Sequence, residues 1–164
     1  MSIRRNEPGP GQESVWDYPR PPRLEQSVRH LLVVFAGETV AESRRALRVC
    51  ETSGPPTYYL PPEDVQLDYL EEAFGTTVCE WKGSASYYDL VVGERRARAA
   101  AWAYRRPRGD YAALTGCLAF YPGRVDACYL DGELVQPQPG DYYGGWITHE
   151  IIGPFKGAPG TLHW

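Results

Sequence analysis

Apolar residues in this chain fall in short alternating runs separated by turn residues, the pattern of a strand-rich fold. Arg29–Ala36 and Glu38–Glu42 flank Gly37 as a hairpin, and Arg45–Glu51 alternates Leu47 and Val49 with Arg48 and Cys50. Thr57–Leu60 is a brief β-rich piece ending at Pro61-Pro62. Thr76–Trp81, Ser84–Val92, Arg98–Tyr104, Gly116–Tyr121 and Val125–Leu130 complete the strands, and Asp131-Gly132 suits a tight turn into Glu133–Val135. Only Pro62–Phe74 reads as a helix. Proline opens it, Glu63 and Asp64 fall in its first turn, Gly75 follows it, and Val65, Tyr69, Leu70 and Phe74 form a stripe. The predicted class is mainly β: a small antiparallel two-sheet fold or partly open barrel with one principal helix.

The two ends read differently from the body at 29–135. Residues 1–28 are proline-rich with few aliphatics before Leu24, which predicts an extended arm pinned by Trp16 and Tyr18, its first dozen residues loose. Residues 136–164 pair glycines with aromatics, as in Tyr142-Tyr143-Gly144-Gly145-Trp146. A disordered linker rarely holds so many rings, so an ordered tail wrapping the body is expected, whether its own or a neighbour's. No internal repeat and no domain boundary interrupts the chain, which predicts one domain over 1–164.

Composition narrows the partners. A length of 164 residues with 43% hydrophobic and 13% aromatic content supports one core. The formal charge of −4 is modest and the basic residues are dispersed, so no nucleic-acid partner is expected. No apolar run resembles a signal peptide or approaches the length of a bilayer span, so a cytoplasmic protein with reduced thiols and no membrane partner is expected. Cys50, Cys79, Cys117 and Cys128 form no C-x-x-C pair and His30, His149 and His163 are scattered. A structural zinc needs paired ligands at short spacing, so no metal and no other cofactor is expected.

Candidate chemistry concentrates in Cys79-Glu80-Trp81-Lys82-Gly83-Ser84-Ala85-Ser86-Tyr87-Tyr88-Asp89, which gathers a thiol, an amine, two carboxylates and three aromatics around one glycine. Two strand ends meeting at Lys82-Gly83-Ser84 would put this set on the wall of a binding site. Together with Glu51, Tyr58-Tyr59-Leu60-Pro61-Pro62-Glu63-Asp64-Val65, Trp102-Ala103-Tyr104 and Phe120-Tyr121, in this order, the segment resembles domain-of-unknown-function family 427 over roughly Leu31 to Val125. That family is sometimes given a nucleotidyltransferase label. The resemblance implies a small β-rich domain of the β-tent kind, some relatives of which carry zinc. It implies no reaction. It also implies that Cys79 and Lys82, which match recurring family positions, do more than pack, and it is the main ground for an acid–base role of Glu51 or Asp64.

Read from the residues, each candidate keeps two readings. Cys79 beside Lys82 suits a thiol of depressed pKa, but a nucleophilic cysteine usually needs a histidine, and an inert small core residue is the simpler reading. Lys82 could hold an anionic group, pair with Asp64 or Glu80, or be a solvated turn residue. Tyr58, Trp81, Ser86, Tyr87, Tyr88, Trp102 and Tyr104 could line a ligand pocket or a core; Trp102 and Tyr104 share one strand face, and only one of Tyr87 and Tyr88 can face a given pocket. Phosphate-cradling loops, a G-x-S-x-G elbow, an H-E-x-x-H helix and a D-x-D metal pair are all missing, which argues against nucleotidyl transfer. Two functions remain: a small-molecule site around Lys82, with Cys79, Lys82 or Asp64 as catalytic candidates, or a non-enzymatic interaction module, including a homodimer.

Overall fold

The computed structural model describes residues 3–79 and 81–164. The arm supplies β1 (Glu13–Ser14) and β2 (Arg23–Gln26), and β3 (Leu31–Phe35), β4 (Glu38–Ser43), β5 (Leu47–Cys50) and β6 (Thr57–Tyr59) follow. Three long strands come next: β7 (Leu70–Cys79), β8 (Gly83–Val92) and β9 (Arg95–Tyr104). β10 (Ala119–Phe120), β11 (Ala127–Leu130) and β12 (Glu133–Leu134) precede the tail, which adds β13 (Gln136–Pro137), β14 (Trp146–Ile147) and β15 (Ile151–Ile152). The fold is mainly β, as the alternating pattern predicts.

Two four-stranded antiparallel sheets, ordered β10-β9-β8-β7 and β12-β11-β3-β4, share one core. Leu31, Val33 and Phe35 of β3 meet Leu90, Ala101 and Phe120 there. A second core lies on the other face of β8 and β9, under the three-stranded sheet β2-β5-β6. Strand alternation explains why there are two cores. Along β9, Ala101 and Ala103 face the first core, and their small side chains let the sheets approach, while Trp102 and Tyr104 fill the second. None of these sheets closes into a barrel.

The expected hairpins form with the expected turns. Ala36 and Gly37 take φ of 52° and 76°, and Asp131 and Gly132 take 49° and 82°. Two successive left-handed residues match the twist of the flanking strands, Phe35 against Glu38 and Leu130 against Glu133.

The helix expected over Pro62–Phe74 is replaced by two single 3₁₀ turns, Pro62–Asp64 and Leu67–Tyr69, and the start of β7. Between the turns the chain hydrogen-bonds to β4: the Gln66 amide donates to the Val40 carbonyl at 2.8 Å, and Val65 bridges Ala41. From Leu70 onward the chain pairs with β8 instead of coiling. Of the presumed stripe, Val65 is buried and Tyr69 and Leu70 pack against the first core, whereas Phe74 is fully exposed.

Both ends dock on the body. β2, within the stretch expected to be an extended arm, is a paired member of the sheet β2-β5-β6. β1 runs parallel to β15, and the Trp16 indole donates to the Pro154 carbonyl at 2.9 Å. In the tail β13 pairs with β14, and the buried Trp146 lies 5.2 Å from the Tyr58 ring and donates to the Phe120 carbonyl at 3.2 Å. Among the described residues no helix is long and apolar enough to cross a membrane.

Candidate functional site

The second core is incompletely filled, and the gap is a cavity of about 300 Å³. Its floor is a row of rings that strand alternation turns to one face. Tyr104 lies 6.1 Å from Tyr59, Tyr59 lies 6.1 Å edge-on to Trp102, and Trp102 lies 4.6 Å from Tyr121. The Trp102 indole donates to the Tyr59 hydroxyl at 3.3 Å, and the Tyr121 hydroxyl donates to the Tyr142 carbonyl at 3.0 Å. Tyr87 leans in from β8, hydrogen-bonded to Thr77 across the β7–β8 ladder at 2.8 Å.

Lys82 closes one end. It stands at the turn between β7 and β8, where Cys79 pairs with Gly83. Gly83 has φ of 109°, a conformation that disfavours any side chain, and a Cβ there would lie 3.3 Å from the Arg106 carbonyl. The turn is tied down by the Arg108 amide, which donates to the Lys82 carbonyl at 3.0 Å. Lys82 is only 8% exposed, and its ammonium sits 5.8 Å from the Tyr104 ring centroid.

The tail closes the other side. Gly144 packs on Trp102, where a Cβ would come within 2.5 Å of the indole. The buried Gln138 amide clamps two tail segments at once: it donates to the Lys156 carbonyl at 2.7 Å and accepts from the Gly145 amide at 3.0 Å. This holds Lys156 on the cavity wall, its ammonium 5.0 Å from the Tyr143 ring. Lys82 and Lys156 are the chain's two lysines; every other basic side chain apart from the histidines is an arginine. Both line this one cavity.

The electrostatics are one-sided. Among the described residues, none of the ion pairs uses a lysine, because arginines occupy the paired carboxylates. Glu51 is the one carboxylate among the described lining residues, and Arg20 offsets its charge at 3.5 Å. Burial holds the Tyr59, Tyr104 and Tyr121 phenols well above the usual phenol range, so they are neutral donors rather than bases. The described lining includes no histidine: His30 pairs with Glu42, and His149 with Glu133. Cys79 lines the cavity half-buried, and the described lining holds no histidine to act as the base of a nucleophilic thiol.

Of the residues read from sequence, the cavity gathers Glu51, Cys79, Trp81, Lys82, Tyr87, Trp102 and Tyr104. Four others fall elsewhere. Asp64 lies off the cavity, where Arg45 donates to it at 2.9 Å and Ser43 at 2.7 Å; the guanidinium holds its carboxyl below the usual range. It is therefore committed to Arg45 and not to Lys82, and a pairing of Lys82 with Glu80 lies outside the described residues. Tyr58 points to the first core, because its neighbour Tyr59 takes the cavity face. Tyr88 likewise packs toward the first core and accepts from Arg105 at 3.0 Å. Ser86 sits on β8 one residue from Tyr87 and outside the lining.

Sequence reasoning missed Tyr59, Tyr121, Gln138, Tyr143 and Lys156. A signal for Lys156 was present, since a chain so rich in arginine keeps only two lysines. Among the described residues no three His, Cys, Asp or Glu side chains cluster so as to hold a metal ion. No protein of curated function matches the chain. A family model described as a domain of unknown function, DUF427, matches residues 23–131, from β2 to the turn after β11 and across Glu51, Cys79, Lys82 and the ring row. The chain belongs to the DUF427 family.

Proposed function

We propose that the cavity binds a small organic anion, its ring stacked on the Trp102–Tyr121 row and its anionic group on Lys82. The observation that carries this reading is the lysine. An ammonium this sheltered, with no carboxylate partner among the described residues, is costly to bury. The Tyr104 face offsets only part of that cost, about 0.5–2 kcal/mol for a cation over a ring. An anionic ligand would supply the missing partner and the remaining hydrogen bonds. Neutral phenols and an indole around it offer donors and stacking faces, the usual lining of a site for a planar polar molecule. The lining favours binding over covalent chemistry, because among the described residues no histidine stands beside the thiol.

The test is Lys82→Met, which keeps the stem's length and removes the charge. A panel of aromatic carboxylates should raise the melting temperature of the wild-type protein and leave that of the variant unmoved. Loss of one charge-assisted hydrogen bond should weaken binding by about 1.5–3 kcal/mol by calorimetry. Equal stabilisation of both proteins by the panel would remove the basis for this reading.

A further inference from the structure

We infer that the ligand is a planar-ring dianion carrying its two anionic groups at separate positions, one held by Lys82 and the other by Lys156. This inference rests on the proposed anion site and adds to it the class of ligand. Three observations carry it.

The two ammoniums reach the cavity from different walls. Lys82 comes from the β7–β8 turn, and Lys156 comes from the tail, where its amide donates to the Ser53 carbonyl at 2.9 Å and Gln138 holds its carbonyl. Each sits over a different ring, and those rings lie at opposite ends of one series. Lys82 is over Tyr104; the series runs on through Tyr59, Trp102 and Tyr121, passes to Tyr142 by the Tyr121 hydrogen bond, and ends at Tyr143, 4.8 Å from Tyr142 and under Lys156. A single anionic group on Lys82 would leave Lys156 unanswered at the far end of that series.

The tail that places Lys156 is anchored too specifically to be a loose cover. Gln138 is 6% exposed and spends both ends of its amide on the tail, and Gly144 exists as a bare backbone against Trp102. The family match ends at Asp131, so Lys156 lies outside the matched segment. The segment from 23 to 131 supplies one cationic contact, and the tail supplies the second together with part of the wall. By this reading the tail sets specificity: it converts a site for one anionic group into a site for two.

The experiment compares three probes by calorimetry on the full chain at fixed ionic strength: benzoate, benzene-1,3-dicarboxylate and phenyl phosphate. The wild type should bind the dicarboxylate at least tenfold more tightly than benzoate. Lys156→Met should collapse that ratio to about one- to twofold, whereas Lys156→Arg, which keeps a cation, should retain most of it. Lys82→Met should weaken binding of both carboxylates. A ratio that survives Lys156→Met overturns the two-ended ligand while leaving the anion site in place. So does phenyl phosphate binding tightest with a need for both lysines, since that describes one multiply charged group. Binding of all three probes unchanged by Lys82→Met, or no binding of any probe to the wild type at millimolar concentration, overturns the anion site itself. Should Lys156→Met fail to fold, the Lys156→Arg ratio decides: a ratio near one overturns the two-ended ligand, and a retained ratio with benzoate competing for the same site supports it.

Discussion

A thiol reacts as its thiolate, and apolar burial disfavours that anion. The four cysteines differ in this respect. Burial pushes Cys50 up to about 11 despite the nearby Arg48, pushes Cys128 beyond the ordinary thiol range, and raises Cys117 as well. Cys79 alone is half-buried, on the cavity wall. At pH 8 an aromatic disulfide reagent should therefore modify Cys79 first, with the other three reacting only after unfolding, and Cys79→Ser should remove the fast phase. A cavity ligand should slow that phase. Peptide mass mapping checks the site, and two thiols reacting at one rate in the native protein would contradict the ordering. The same scale shows why single tyrosines were not assignable from sequence. In Tyr58-Tyr59 and Tyr87-Tyr88 alternation lets at most one ring of each pair face the cavity, but which one depends on register, which the sheet pairings set. Tyr59 and Tyr87 take that face, and Tyr58 and Tyr88 the other.

At the scale of elements, turns were legible where two residues must take left-handed conformations, and strands where β-branched and aromatic residues alternate. The segment 62–79 was not. Its capping chemistry is that of a helix, with proline first and acids following, yet the same signals suit a 3₁₀ turn. Pairing decided the outcome: β4 takes the Gln66 amide and β8 takes the chain from Leu70, long-range bonds that no local pattern reveals. Two glycines, one inside this segment and one just past it, allow a controlled comparison. Gly75 and Gly83 have φ of 92° and 109°, but a Cβ at Gly75 would meet nothing within 4 Å, whereas one at Gly83 would crowd the Arg106 carbonyl. Each change to alanine should cost about 1–3 kcal/mol from backbone strain. Gly83→Ala should cost more in urea unfolding and should also displace Lys82, abolishing ligand-dependent stabilisation that Gly75→Ala keeps. Equal effects of the two on binding would show that the Lys82 turn does not set the site.

At the scale of the whole molecule, the two ends clasp each other through β1 and β15, and one carboxylate braces the arm's side of the clasp against the body. Glu13 begins β1, which pairs with β15; its side chain accepts from Arg48 and, at 2.6 Å, from the Tyr18 hydroxyl. Burial opposes the charged form of Glu13, but these two donors together with the charges of Arg48 and Arg23 more than offset it, and its carboxyl is held below the ordinary value of 4.5. The sign follows from linkage. A carboxyl whose folded value is lowered binds its proton more weakly folded than unfolded, so its contribution is fully present above about 4.5 and is lost as pH falls through the lowered value. Acidification below that range should therefore loosen the arm from the tail, seen as faster amide exchange at residues 13–18 and a changed tryptophan emission, since Trp16 and Trp164 lie 5.5 Å apart. Other carboxyls are lowered too, Asp126 and Asp131 among them, and would shift the global acid transition; the local readout isolates this one. Glu13→Gln removes the titrating group. It should give faster exchange at residues 13–18 already at pH 7, and exchange there should then lose its extra acid dependence while the rest of the protein keeps its own. An unchanged acid response at residues 13–18 in that variant would show that β1 is held by its pairing with β15 alone, and that the Glu13–Arg48 pair contributes nothing to the clasp.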